Sequence, residues 1–137
     1  MKVSQKTEYA LRAMLELASY SERHHAVRSA DIAHSQEIPE KFLELILVEL
    51  RRAGLLISQR GPVGGHRLAR DPALISVGEI WRAIDGANER ESRRAVDPFR
   101  AVWEDVDKAI SNVVDRISLA EVRKRAEAKR GVPDYSI

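Results

Sequence analysis

The chain has 137 residues, 44% apolar and 32% charged, with no cysteine and a formal net charge of +2. Its length fits one domain with a true buried core, and no apolar run approaches the ~18 residues that a membrane-spanning helix needs. The missing cysteines exclude disulfides, thiolate metal sites, cysteine-ligated clusters and a cysteine nucleophile, and the small net charge does not by itself point to nucleic acid.

The N-terminal stretch MKVSQKTEYALRAML lacks the long apolar segment of a secretory signal, so a cytoplasmic protein is expected. Ser4 is a good N-cap for a first helix whose apolar stripe is Tyr9, Ala10, Ala13, Met14, Leu17 and Ala18. After the polar segment SERHHAVR, Ser29 can cap a short second helix carrying Ile32 and Ala33. The four histidines are His24, His25, His34 and His66; none has further ligands at helical spacing, and no metal or other cofactor is expected. A third helix starts at Pro39, whose missing N–H is harmless in a first turn. Its stripe is Phe42, Leu43, Ile46, Leu47 and Leu50, and Gly54 stands where a C-cap glycine belongs. Two short helices joined by a tight turn at Glu37-Ile38 are the sequence form of a helix-turn-helix.

Leu55, Leu56 and Ile57 form a short β-compatible run, followed by SQRGPVGGHRLAR. The glycines and proline of that segment suit a hairpin turn needing positive φ, with residues 58–60 and 66–68 as its strands. Ser76-Val-Gly-Glu79 is a capping-box pattern opening a fourth helix that carries Val77, Ile80, Trp81 and Ile84 and ends at Gly86, with Trp81 in the core. Residues 87–97 are polar, lack an apolar stripe and read as a loop; Arg90, Arg93, Arg94 and Arg100 make it a basic, solvated one. Asp97-Pro98 opens a long helix in which Phe99, Trp103, Val106, Ile110, Val113 and Ile117 recur at alternating spacings of four and three, a coiled-coil-like seam. Phe99 and Trp103 also suit the lining of an effector pocket, but such a stripe is more often a seam. Ser118-Leu-Ala-Glu121 opens a last charged helix that stops near Gly131.

The fold class is therefore mainly α with a small β-hairpin: a winged helix-turn-helix DNA-binding domain plus a long dimerisation helix. The divisions are residues 1–86 for the DNA-binding domain, 87–97 for a sensor-type loop, 98–131 for the dimerisation and C-terminal helices, and 132–137 for a tail. Alone, a glycine cluster is a turn and a polar helix face is a wet surface. Helix, turn, helix, capping glycine, short strand and basic hairpin in that order favour DNA binding. Glu40, Lys41, Glu44 and, beside them, Leu45 lie off the apolar stripe, near the helix end that reaches base edges in such proteins. Lysine donates to guanine and glutamate accepts from cytosine. In the wing, Gly61, Gly64 and Gly65 allow close backbone approach and Arg60 can enter a minor groove, with His66 beside it. Lys2, Ser4 and Lys6 are candidate phosphate contacts, and Tyr9 is grouped with them. Nothing suggests catalysis: there is no paired-carboxylate or Ser–His–Asp arrangement, and neither Ser58 nor Ser76 sits in a nucleophile elbow.

The segments YALRAMLELA, ADIA, IPEKFLELILVELRRAGLL, SQRGPVGGHRLAR, ISVGEIWRAIDG, VWEDV and ISLAEV closely resemble, in collinear order over roughly residues 1–125, the Rrf2 family of bacterial winged-helix regulators. The resemblance implies a homodimer in which helix 98–117 pairs across a twofold axis, and a palindromic double-stranded DNA operator under repression. It also implies that Phe42 and Glu44 fall near the bases, with Arg60 and Gly61 in the wing. Many members bind an iron–sulfur cluster through three cysteines in the loop before the long helix. Residues 87–97 contain none, with Asp97 about where the last is expected, which reads as a cluster-free member without redox or nitric-oxide sensing. A regulatory protein or small effector is then the expected input. The competing reading is a protein-interaction module whose winged helix docks a metabolic enzyme, with DNA binding minor or gated by that partner.

Overall fold

The computed structural model describes residues 3–21, 25–91 and 97–131, with side chains described outside 87–91 and 131. The expectations for Lys2, His24, residues 92–96 and the tail 132–137 lie outside the described residues. The elements are α1 (Gln5–Ser19), α2 (Ser29–Gln36), α3 (Glu40–Arg52), β1 (Leu56–Gln59), β2 (Gly65–Leu68), a 3-10 turn (Pro72–Leu74), α4 (Val77–Glu91), α5 (Arg100–Val114) and α6 (Leu119–Gly131).

α1 is the central rod. Ser4 caps it as expected, its Oγ accepting the Thr7 N–H at 3.1 Å. Ala10, Ala13, Met14, Leu17 and Ala18 are buried, and the three alanines let neighbouring backbones approach closely. α2, α3, α4 and α6 all pack on this helix. Ser29, expected as a cap, is instead the first residue of α2; Arg28 holds the cap position without a side-chain bond. α2 ends on Glu37 in the left-handed region at φ 55°, where the Ile38 N–H donates to the Ala33 carbonyl at 2.9 Å. That turn buries Ile38 and redirects the chain into α3. Pro39 occupies the N-cap of α3, one position earlier than expected. Gly54, at φ 77°, closes the helix while the Leu55 N–H reaches back to the Leu50 carbonyl at 3.0 Å.

β1 and β2 pair antiparallel, with Leu56 opposite Leu68 and Gln59 opposite Gly65. The expected strands shift toward the core: Leu56 and Ile57 join β1, and Arg60 belongs to the turn. Burial of Leu56 and Leu68 against the α-helical layer sets this register. Val27, in a segment read as polar linker, bridges the outer edge of β2. Its N–H donates to the His66 carbonyl at 2.8 Å, and its carbonyl accepts the His66 N–H at 2.7 Å.

The boundary expected at residue 86 falls inside a helix, because α4 runs to Glu91. Gly86 does not adopt positive φ, so it does not terminate the helix; it costs α4 only about 1 kcal/mol relative to alanine. The Ser76 cap is present, with Oγ accepting the Glu79 N–H at 3.1 Å, and Ser118 caps α6 in the same way at 3.1 Å. These two caps lie side by side, the Val77 N–H donating to the Ile117 carbonyl and the Leu119 N–H to the Ile75 carbonyl, each at 2.9 Å. Leu119 is thereby part of the main core, so α6 packs back onto α1 and not along α5. Trp81 is buried as expected.

One polar contact reaches into this layer. Asp85 of α4 accepts from Ser4 Oγ at 2.7 Å and from Thr7 Oγ1 at 2.5 Å, and Thr7 is fully buried. Asp85→Ala strands a buried hydroxyl, which costs about 1–3 kcal/mol. Urea unfolding should show that loss, and Thr7→Val in the same background should recover part of it, because it removes the stranded group. A double variant no better than Asp85→Ala would refute this account.

Candidate nucleic-acid interface

α3 divides into three strips. Leu43, Ile46, Leu47 and Leu50 face the core. Phe42 and Glu49 face α1: the Tyr9 and Phe42 rings meet edge to face at 5.6 Å, and Lys6 Nζ pairs with Glu49 at 2.6 Å. Glu40, Lys41, Glu44 and Leu45 are exposed, as the sequence pattern predicts for a reading face.

The wing stands beside that face. Glu44 and Arg51 of α3 both act on His66 in β2, so the two elements are electrostatic neighbours. Arg28 braces the turn by donating to the Pro62 carbonyl at 2.7 Å. Arg60, Gly61 and Val63 are exposed at the tip, Val63 by 87%. Gly64 is buried and Gly65 half-buried at the base. They permit backbone-on-backbone packing within the protein: a Cβ on Gly65 would lie 2.6 Å from the Val27 carbonyl. That packing requires glycine at both positions within the protein itself. His66 is half-buried with Nδ1 2.9 Å from Ser58 Oγ. Burial, then the Arg51 charge, push its pKa below the usual histidine value, while Glu44 opposes them. His66 thus joins β2 to β1 through Ser58 and to the Val27 segment through its backbone, at the base of the wing.

The N-terminal turn of α1 is more committed internally than its sequence suggests. The Ser4 hydroxyl caps α1 and donates to Asp85. Lys6 spends one of its three N–H donors on Glu49. The Tyr9 hydroxyl accepts from Gln5 Nε2 at 2.9 Å, and the Arg12 guanidinium carbon lies 5.0 Å from the ring centroid. These residues clamp α1 to α3 and α4. The bonds to α3 and α4 span 43 to 81 positions in sequence, so no local pattern reveals them.

α5 carries the other expected surface. It has no buried residue. Phe99, Trp103, Val106 and Val113 are exposed, and Val102, absent from the expected seam, is exposed with them. Ile110 is half-buried. Ile117 lies beyond the end of α5 in the turn to α6, where its carbonyl bonds Val77; the periodicity continues past the helix because Ser118 starts a new one.

Helix-turn-helix, capped recognition helix and braced wing together define a winged helix-turn-helix DNA-binding regulator. Residues 3–125 match the Rrf2 family, described as iron-dependent transcriptional regulators, and the chain belongs to that family. It is 33% identical over 135 residues to the HTH-type transcriptional regulator IscR of Vibrio campbellii, covering 93% of this chain and 80% of that one. Among solved structures, IscR of T. potens superposes with a TM-score of 0.83 at 38% identity, covering 98% of this chain and 95% of that one. CymR, the global cysteine regulator of B. subtilis, gives 0.79 at 29% identity, covering 91% and 98%. The chain is a transcription regulator whose partner is DNA, and not an enzyme. Among the described residues, no helix is long and apolar enough to cross a membrane.

The family description implies iron, and the donor set here does not fit a thiolate-ligated cluster. The chain has no cysteine, and the stretch before α5 offers Glu89, Glu91 and Asp97 among Arg90, Arg93 and Arg94. Asp97 is occupied: its Oδ1 accepts the Phe99 N–H at 2.9 Å as a turn cap. Among the described residues no three histidine or carboxylate side chains converge on a common point.

Proposed function

We propose that the protein acts in the cytoplasm as a homodimeric repressor that reads a palindromic operator, with α3 in the major groove and Arg60 of the wing in the adjoining minor groove. The observation that carries this reading is the exposed strip of α3 lying beside a wing braced through Val27, Arg28 and His66. Lys41, Glu40 and Glu44 supply base-reading groups, Phe42 positions the helix against Tyr9, and the exposed apolar strip of α5 pairs two copies. The input is a regulatory protein or a small effector, since the residues before α5 do not suit a cluster.

A fluorescence anisotropy titration against duplexes selected from a random library tests the reading. Binding should weaken steeply with salt, because neutralised phosphates release counterions. Arg60→Ala should cost about 1–3 kcal/mol in affinity without changing the unfolding midpoint, as Arg60 is exposed in the turn. No saturable binding at low salt would overturn the reading; unchanged affinity would remove Arg60 from it.

A further inference from the structure

We infer that Leu45 reads DNA sequence by packing its side chain on the C5-methyl group of a thymine. The inference rests on the reading above, that α3 enters the major groove.

Leu45 is 62% exposed on a helix whose other leucines, Leu43, Leu47 and Leu50, are at most 2% exposed. At 100° per residue, Lys41, Leu45, Val48 and Arg52 share the strip opposite the core. Phe42 and Glu49, engaged by Tyr9 and Lys6, flank that strip on the α1 side. Glu44 and Arg51, which act on His66, flank it on the wing side. Leu45 therefore occupies the middle of the face that meets the duplex, with base-reading Lys41 one turn before it and Arg52 further along the same strip to meet phosphates. A single exposed leucine is ordinary on a protein surface. Here it sits where base edges would be read, and it has no hydrogen-bonding group. In the major groove, the apolar feature that a base pair presents is the thymine methyl. Leu45 and half-buried Val48, three positions on, form a small apolar saddle matched to such a group.

The test uses the full chain and a duplex selected from a random library by wild-type protein. Each thymine of the selected site is replaced singly by deoxyuridine, which removes only the methyl. For wild type, one replacement per half-site should weaken binding about fourfold, the worth of one buried methyl carbon. L45A should bind the thymine duplex correspondingly less tightly and be indifferent to the same replacement. L45M, which keeps an apolar side chain, should retain the sensitivity. Equal responses of wild type and L45A at every position would overturn the inference while leaving DNA binding intact, as would a selected site insensitive to all replacements or L45A binding as tightly as wild type. Failure of wild type to select any duplex would overturn this inference together with the reading beneath it.

Discussion

Gly65→Ala is expected to detach the wing and to destabilise the domain by about 2–4 kcal/mol, combining backbone strain with two lost hydrogen bonds. Gly65 sits at φ 144°, a conformation L side chains rarely adopt. A Cβ there would lie 2.6 Å from the Val27 carbonyl carbon and oxygen and 3.0 Å from the Arg28 nitrogen. Those atoms are backbone and cannot rotate away, so the segment carrying Val27 must leave. Both bonds between Val27 and His66 then break, and the neighbouring hold of Arg28 on Pro62 is lost with them. DNA affinity should fall at least tenfold, because Arg60 loses its fixed position (a factor equivalent to about 1.4 kcal/mol). Gly61→Ala separates strain from collision. Its φ is 103°, yet nothing lies within 4 Å of the added Cβ, so it should cost only about 1–2 kcal/mol and leave Val27 in place. Urea denaturation and anisotropy on both variants decide between the two effects. A Gly65→Ala protein within 0.5 kcal/mol of wild type, a margin typical of featureless surface changes, would show that the bridge to Val27 is dispensable.

That bridge also marks what a single sequence reveals and what it hides. The stripes of α1 and α3 were legible because helical burial repeats locally, and the caps at Ser4, Ser76 and Ser118 because each joins residues three apart. Gly54 was legible as a stop, and it adopts the positive φ that makes it one. Gly86 looked alike in sequence but keeps helical geometry; a glycine ends a helix only when the following chain is drawn elsewhere. The residues after it, Ala-Asn-Glu-Arg-Glu, carry no apolar stripe, so the packing signal was missing although alanine, glutamate and arginine are good helix formers. Pairing across the fold left no local trace. Val27 against His66, Ser4 and Thr7 on Asp85, and Lys6 on Glu49 join residues with nothing between them to suggest contact. The candidate site was consequently half legible. Exposure of Glu40, Lys41, Glu44 and Arg60 followed from periodicity and turn chemistry. The internal bonds of Ser4, Lys6 and His66 did not, because their partners lie far away in sequence or across the hairpin.

Replacing Val106 and Ile110 together by glutamate should convert the protein to monomers and lower operator affinity by at least a hundredfold. The 15 residues of α5 include none that is buried. Phe99 is 60% exposed, Val102 51%, Trp103 49%, Val106 40% and Val113 60%, along one side of a helix that a stretch this short rarely sustains alone in water. Within the chain its main packing partner among the described elements is α4. An apolar strip of this kind wants a cover, and the alternating spacing of Phe99, Trp103, Val106, Ile110 and Val113 suits a second copy of the same helix. Two glutamates in the seam would leave charges buried without partners, a cost of several kcal/mol that a short seam cannot absorb. Loss of pairing separates two DNA-reading units, and bivalent binding to adjoining half-sites contributes a factor of about 10²–10⁴. The α1–α4 and α6 core contains neither residue, so the monomer should still unfold cooperatively, and its affinity for an isolated half-site should match that of wild type. Sedimentation velocity at micromolar concentration, with anisotropy on full and half operators, reads all three quantities. A variant that remains dimeric would place the dimer contact elsewhere. One that becomes monomeric yet keeps full operator affinity would show that a single winged helix carries the recognition, and the palindromic reading would fall with it.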